Sequence, residues 1–218
     1  KGVKETKKFG PRPMQGIVFG DMMSRSEGLS EDCLYLNVWT PDLSNTANLP
    51  VMVWLHGGGQ VSGSGASGLY DGTHFASDGV VLVTCNRRLG AEGYLYLEEV
   101  FGEGVGPGNL GIQDVICVLE WVAENINQFG GNPDNVTLFG ESGGGAATQS
   151  VIATPGSEGL GCDGFRCRSE CPGIGRVKMG RSISGFRLDD TGGKFGPFAG
   201  QFFLGDYTLS ILLRATTE

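Results

Sequence analysis

The residues with the clearest chemical potential are one serine and the glycines around it. Ser142 lies in the run Gly140-Glu-Ser-Gly-Gly144, directly after an apolar stretch over residues 136–139. The pattern Gly-x-Ser-x-Gly predicts a turn too tight for side chains, which leaves the serine hydroxyl exposed at a helix N-terminus. In a chain with 39 glycines the pattern alone is weak. Its position between a predicted strand and a predicted helix makes Ser142 the candidate nucleophile.

A second glycine run, His56-Gly57-Gly58-Gly59, follows the apolar stretch 51–55. Loops after parallel strands emerge at the same edge of a sheet, so this run and the serine turn are expected to face each other. Acyl transfer needs N–H donors where the tetrahedral intermediate develops its negative charge. The backbone N–H groups of Gly58, Gly59 and Gly143 therefore form a candidate oxyanion hole. The alternative is that both runs are only flexible turns.

Neither glycine run resembles a phosphate-binding loop. No Lys follows the glycines as a P-loop requires, and no acidic residue is placed as in a dinucleotide-binding fold. Cys162, Cys167 and Cys171 cluster without a Cys-x-x-Cys pair or a nearby His, which is not a zinc-ligand pattern. The sequence therefore predicts no cofactor and no metal.

Strand-like and helix-like stretches alternate along the chain up to the serine turn. Alternating or continuous apolar runs predict strands over residues 34–40, 51–55, 79–85 and 136–139. Apolar residues at helical spacing predict a long helix over 112–129, after a short one over 73–77, and residues 132–135 read as a turn. This order predicts an α/β fold with a mostly parallel central sheet.

Composition sets limits on the partners of this chain. Its 218 residues are enough for one domain with a core, and a net charge of −8 argues against nucleic acid as a partner. No apolar run approaches the roughly 20 residues that span a bilayer. The first eight residues lack the apolar core of a signal peptide.

Several longer motifs occur together and in order, and they resemble the type-B carboxylesterase family. The motifs are Ser30-Glu-Asp-Cys-Leu-Tyr-Leu-Asn-Val-Trp-Thr-Pro41, the His-Gly-Gly-Gly run, Gly108-Asn-Leu-Gly-Ile-Gln-Asp114, Asn125-Ile-Asn-Gln-Phe-Gly-Gly-Asn-Pro133 and Phe139-Gly-Glu-Ser-Gly-Gly144. The resemblance covers about residues 2–160 and implies a partial α/β-hydrolase fold. It also implies hydrolysis of small carboxylic esters through an acyl-enzyme.

The resemblance assigns a role to each candidate residue of the site. Ser142 would be the nucleophile, and the N–H groups of Gly58, Gly59 and Gly143 would be the oxyanion donors. Glu141 would be an electrostatic neighbour of the serine. The competing interpretation is a non-catalytic binding or adhesion member, since the family includes such proteins.

The chain departs from the family pattern at positions 60, 87 and 92. Gln60 stands where an aromatic residue commonly follows the glycines. The family segment Asn-Tyr-Arg-Leu-Gly-x-Phe-Gly reads Asn86-Arg-Arg-Leu-Gly-Ala-Glu-Gly93, so Arg87 and Glu92 replace two aromatic residues. A charge at a usually packed position is costly unless it is paired or exposed.

Two scaffold features are also expected from the resemblance. Arg88 matches a structural arginine of the family, and its expected partner is a carboxylate such as Glu31 or Asp114. Cys33 matches a family cysteine whose bonding partner is replaced here by Pro13, so Cys33 is expected to be unpaired.

The C-terminal part of the chain departs furthest from the family. The fold orders its triad as serine, acid, histidine, yet both histidines of the chain, His56 and His74, precede Ser142. Residues 161–218 carry 8 of the 16 basic residues but only 6 of the 24 acidic ones, and they match no family motif. We therefore expect a partial hydrolase domain over residues 1–160, an unmatched and irregular tail over 161–218, and weak turnover by this chain alone.

Overall fold

The computed structural model describes residues 5–16, 24–26 and 28–154, together with the backbone of three strands further along the chain. The elements up to residue 154 are β1 (Leu36–Trp39), β2 (Leu49–Leu55), α1 (Thr73–Ser77), β3 (Val81–Cys85), α2 (Gly90–Tyr94), α3 (Glu98–Phe101), α4 (Leu110–Asn125), β4 (Gly131–Gly140) and α5 (Gly143–Ile152). Short 3-10 turns over 68–70, 103–105 and 126–129 connect them.

Four of these strands form one sheet in the order β1-β3-β2-β4. β2 lies at its centre and is parallel to both β3 and β4, whereas β1 pairs with β3 in the antiparallel direction. The mostly parallel α/β architecture predicted from the sequence is therefore confirmed. Because β2 and β4 are parallel neighbours, the loops that follow them emerge side by side.

The core explains why the two central strands are apolar. All five residues of β3 are buried, and in β2 every second residue is buried. α4 lays an apolar stripe against this sheet, because Val115, Leu119 and Val122 recur at helical spacing and are all buried. The same cluster continues into α5 through Ala147 and Val151, which anchors the helix that begins at the serine turn.

β4 contains the segment that the sequence predicts to be a turn. Leu49 pairs with Gly131, but the next paired residue of β2, Val51, lies opposite Val136. Residues 132–135 are therefore an irregular excursion within the strand, closed by a hydrogen bond from the Asp134 backbone N–H to the Asn132 side chain at 2.9 Å. The local turn chemistry was predicted, but its place inside a longer strand was not.

The tail includes regular backbone, which differs from the irregular structure expected for it. Strands β5 (Ile183–Leu188), β6 (Phe202–Asp206) and β7 (Ile211–Ala215) form a three-stranded antiparallel sheet. Their sequences contain short apolar stretches that the surrounding glycines and charges obscured. Within the described residues, no helix is both long enough and apolar enough to cross a bilayer.

Candidate active site

The serine elbow (residues 140–144) connects β4 to α5. Ser142 caps α5 with φ 53° and ψ −118°, a backbone conformation that side-chain-bearing residues rarely adopt. Such strain persists only where the surrounding structure imposes it, and it is concentrated at functional sites. The backbone N–H of Gly144 donates to the Glu141 carbonyl at 2.8 Å, which closes the turn around the serine.

Glycine is required on both sides of this serine by the neighbouring strand. A Cβ on Gly140 would lie 2.8 Å from the carbonyl oxygen of Leu55, the last residue of β2. A Cβ on Gly144 would overlap the same oxygen even more severely. The elbow therefore packs backbone against backbone at the end of β2, and this contact forces the turn to be sharp.

The glycine loop (residues 56–60) begins where β2 ends. Gly58 has φ 100° and Gly59 has φ 62°, so both need the conformational freedom of glycine. The Gly58 carbonyl accepts hydrogen bonds from the backbone N–H groups of Val61 and Ser62, both at 3.1 Å. These bonds close a tight turn and leave Gly58 and Gly59 exposed.

The structure brings the glycine loop and the serine elbow into backbone contact. A Cβ on Gly143 would lie 2.9 Å from the Gly59 nitrogen, and one on Gly57 would lie 3.3 Å from the Ser142 Cβ. The Glu141 side chain is exposed and also lies against Gly57. The five candidate residues of the sequence therefore gather at one edge of the sheet.

Aromatic side chains support the strands just before these loops. Trp54 of β2 lies opposite Phe139 of β4, and their rings are 4.8 Å apart. Tyr70 also packs against Trp54, with ring centroids 5.2 Å apart. Burial, followed by the nearby Glu141 carboxylate, raises the pKa of Tyr70, so its hydroxyl stays protonated near neutral pH.

Three side chains that the sequence did not bring together form a network beside the site. Gln60 donates from Nε2 to the Gly143 carbonyl at 2.7 Å. Its Oε1 accepts from Arg87 Nε at 3.2 Å and from the Tyr94 hydroxyl at 2.8 Å. The only signal in the sequence was that Gln60 and Arg87 both replace aromatic residues of the family pattern.

The two neighbouring arginines differ in how their charges are accommodated. Arg88 pairs with the buried Asp114 at 2.7 Å, as one of the two expected partners. Arg87 is 0% exposed, and among the described residues it has no carboxylate partner. It donates to the His56 carbonyl at 2.9 Å and to Gln60, while one terminal nitrogen has no hydrogen-bond partner. Glu92, the other unusual charge, is exposed.

Neither histidine is placed to activate the serine. His56 is fully buried, with Nδ1 2.8 Å from the Gly57 carbonyl, and burial followed by the Arg87 charge lowers its pKa to about 3. Because a carbonyl only accepts, Nδ1 carries the proton of a neutral ring. His74 is exposed on α1. Among the described residues, the Ser142 hydroxyl makes no capping hydrogen bond to α5 and no other hydrogen bond. Cys33 is a buried free thiol, as expected.

A strained serine between a parallel strand and a helix, facing a glycine loop at the same sheet edge, defines an α/β-hydrolase type of site. The model of the carboxylesterase family matches residues 1–162, and the chain belongs to this family.

The chain is similar to curated esterases over a limited part of their length. It is 52% identical over 132 residues to para-nitrobenzyl esterase of Bacillus subtilis (strain 168), and this match covers 60% of this chain and 26% of the relative. It is 47% identical over 141 residues to acetylcholinesterase of Danio rerio, and this match covers 64% of this chain and 22% of the relative. A carboxylesterase structure from Geobacillus stearothermophilus matches with TM-score 0.67 and 46% identity, covering 73% of this chain and 32% of that one. The chain thus spans about a fifth to a third of the length of these proteins.

Proposed function

We propose that this chain carries the nucleophile and the oxyanion hole of a carboxylic ester hydrolase. The Ser142 hydroxyl oxygen attacks the ester carbonyl carbon, and the N–H groups of Gly58, Gly59 and Gly143 receive the negative charge on the carbonyl oxygen. The alcohol then leaves, and the acyl group stays on Ser142 until water releases it as the acid. The observation that carries this proposal is the strained Ser142 backbone in direct contact with the glycine loop.

The geometry supplies favourable electrostatics for the developing oxyanion. Each N–H donor of an oxyanion hole typically lowers the barrier by about 3 kcal/mol. The Gly143 N–H also lies in the first turn of α5, where the helix dipole favours negative charge. Glu141 is exposed beside Ser142, so we assign it an electrostatic influence on the site and no covalent role.

The proposal requires a general base, because a serine hydroxyl is a weak nucleophile without one. His56 is buried and bonded to its own loop, and His74 lies exposed on α1. The matched part covers only 26% and 22% of the length of the two curated relatives. We therefore propose that acylation of Ser142 by this chain is slow and that deacylation is slower.

The alternative of a binding or adhesion protein is less well supported by the site. Such a role requires neither a serine at a strained φ nor a run of exposed glycines beside it. The strained serine backbone costs roughly 1–3 kcal/mol of conformational free energy, and glycines lose more chain entropy on folding than other residues. Their presence together favours the catalytic proposal.

The experiment that tests the proposal is covalent labelling with an alkyl fluorophosphonate, followed by peptide mapping with mass spectrometry. The expected result is phosphonylation of Ser142 and no labelling in the Ser142→Ala variant. Ser150→Ala is the matched control, because Ser150 is an exposed serine two turns further along α5. That variant should be labelled at the parent's rate. Labelling of other serines with Ser142 untouched would overturn the proposal.

A further inference from the structure

A hydrogen bond from the Gln60 side chain joins the glycine loop to the serine elbow. Its Nε2 group donates to the carbonyl of Gly143, which is 83 positions away in the sequence, at 2.7 Å. Gln60 directly follows Gly59, and Gly143 directly follows Ser142. The bond therefore connects the two segments whose N–H groups form the proposed oxyanion hole.

The amide of Gln60 is fixed in one orientation by its other two partners. Arg87 has only donor groups, so the oxygen of the Gln60 amide must face it. The Tyr94 hydroxyl donates to the same oxygen at 2.8 Å. The NH₂ group must then face the Gly143 carbonyl, because a flipped amide would place its oxygen against another acceptor.

Arg87 contacts both ends of the glycine loop. It donates to Gln60 after the glycines and to the His56 carbonyl before them, at 3.2 and 2.9 Å. It is completely buried, and among the described residues its partners are neutral. A buried cation without a carboxylate is unfavourable for stability. This indicates that an arginine is present at position 87 for a reason other than stability.

The backbone of Gln60 is itself unfavourable for a side-chain-bearing residue. It has φ 67°, in the left-handed region where glycine is preferred, and it follows two glycines with positive φ. A fourth glycine would fit this turn with less strain. The side chain is therefore present despite the backbone, and its three hydrogen bonds are what it adds.

We propose that Gln60, held by Arg87 and Tyr94, is a positioning residue that sets the spacing between the two halves of the oxyanion hole. This inference rests on the proposed function. It deepens that proposal by assigning the unusual Gln60 and Arg87 of this chain to the same site. Loss of the Gln60 donor should widen the gap between Gly59 and Gly143 and slow the reaction of Ser142 without unfolding the chain.

The first test uses Gln60→Glu, with Gln113→Glu on the exposed face of α4 as the matched control. A carboxylate at position 60 can pair with Arg87, so the thermal midpoint should be unchanged or higher. It cannot donate to the Gly143 carbonyl. We expect Ser142 labelling by the fluorophosphonate to slow at least tenfold in Gln60→Glu and to stay within twofold of the parent in Gln113→Glu.

Amide hydrogen exchange gives a readout that does not depend on reactivity. Exchange in the segments 57–61 and 143–147 should quicken in Gln60→Glu and not in Gln113→Glu. If the parent is not labelled at Ser142, the proposed function fails, and exchange alone then decides the positioning role. Unchanged exchange in folded Gln60→Glu would overturn that role, whatever the labelling shows.

A second pair of variants separates the effect of the Gln60 side chain on the labelling rate from the effect of its backbone strain. Gln60→Gly relieves the positive φ but removes all three hydrogen bonds. Asn48→Gly is its control, because Asn48 also has a positive φ, of 52°, and is exposed outside the site. We expect slowed labelling only in Gln60→Gly, at similar thermal midpoints. Equal labelling in these two variants would contradict the proposal.

Discussion

Two loops meet at the candidate site of this chain, and they are held in place by different means. The serine elbow is fixed by the absence of side chains, because Gly140 and Gly144 pack their backbones against the Leu55 carbonyl. The glycine loop is fixed by the presence of side chains, through Gln60 and Arg87. Steric contact between backbones leaves little room for variation. A hydrogen-bonded network can be rebuilt from other residues, and the chain departs from its family pattern in the loop and not in the elbow.

The largest expected effect on the free energy of unfolding comes from adding one carbon atom to the serine elbow. In Gly144→Ala the new Cβ would overlap the Leu55 carbonyl, so β4 and α5 must separate from β2. We expect a loss of about 3 kcal/mol in the free energy of unfolding, measured by urea denaturation. Gly104→Ala is the control, since nothing lies within 4 Å of that position, and its effect should be near zero. Equal stability of the two variants would show that the elbow is not sterically fixed.

The two neighbouring arginines, Arg87 and Arg88, test whether side chains hold the glycine loop in place. Arg88→Met leaves the Asp114 carboxylate, 5% exposed, without its ion-pair partner, and should cost about 2 kcal/mol in urea denaturation. Arg87→Met removes a buried charge that has no carboxylate partner, so the free energy of unfolding should be unchanged or higher. Labelling of Ser142 should nevertheless slow in Arg87→Met. A large destabilisation by Arg87→Met would mean that this arginine serves the core and not the loop.

The pH dependence of stability tests the burial of His56 in the loop. Its folded pKa of about 3 lies below the ordinary value of 6.5, so the unfolded chain takes up this proton first. The stabilisation is complete above about pH 6.5 and is lost as the pH falls towards 3, with a decrease on the order of 2 kcal/mol between about pH 7 and pH 5. The His56→Gln variant should lose this contribution to the slope in urea denaturation, whereas His74→Gln should keep it. Parallel slopes in both variants would contradict the assignment.

The sequence predicted the elements with strong local signals. Periodic apolar residues and flanking glycines located α4 and β3, and the family motifs located both loops and one correct partner for Arg88. The position of the turn at 132–135 inside β4 was missed, because pairing with β2 continues on both sides of it. Local turn chemistry carries no information about such tertiary pairing.

The network around Gln60 could not be predicted from the sequence, for a related reason. Its members lie at positions 60, 87, 94 and 143, and no local pattern connects them. Sequence comparison with the family marked Gln60 and Arg87 as separate departures. The sequence indicated only that the Arg87 charge would be costly at a packed position unless it were paired or exposed. In the structure Arg87 is buried among neutral acceptors. Only the three-dimensional arrangement shows that the two departures contact each other.

Release of p-nitrophenol from a short-chain p-nitrophenyl ester, measured for the chain and for Ser142→Ala, tests directly whether Ser142 is the nucleophile. We expect an initial release in the parent that is absent from the variant, with acyl–Ser142 detected by mass spectrometry. Slow turnover should follow, because a serine hydroxyl is a weak nucleophile without a general base. His56 is buried and bonded to its own loop, and His74 is exposed on α1. Identical release from both proteins, with no acyl–Ser142, would contradict the central claim that Ser142 and the glycine loop form a hydrolytic site.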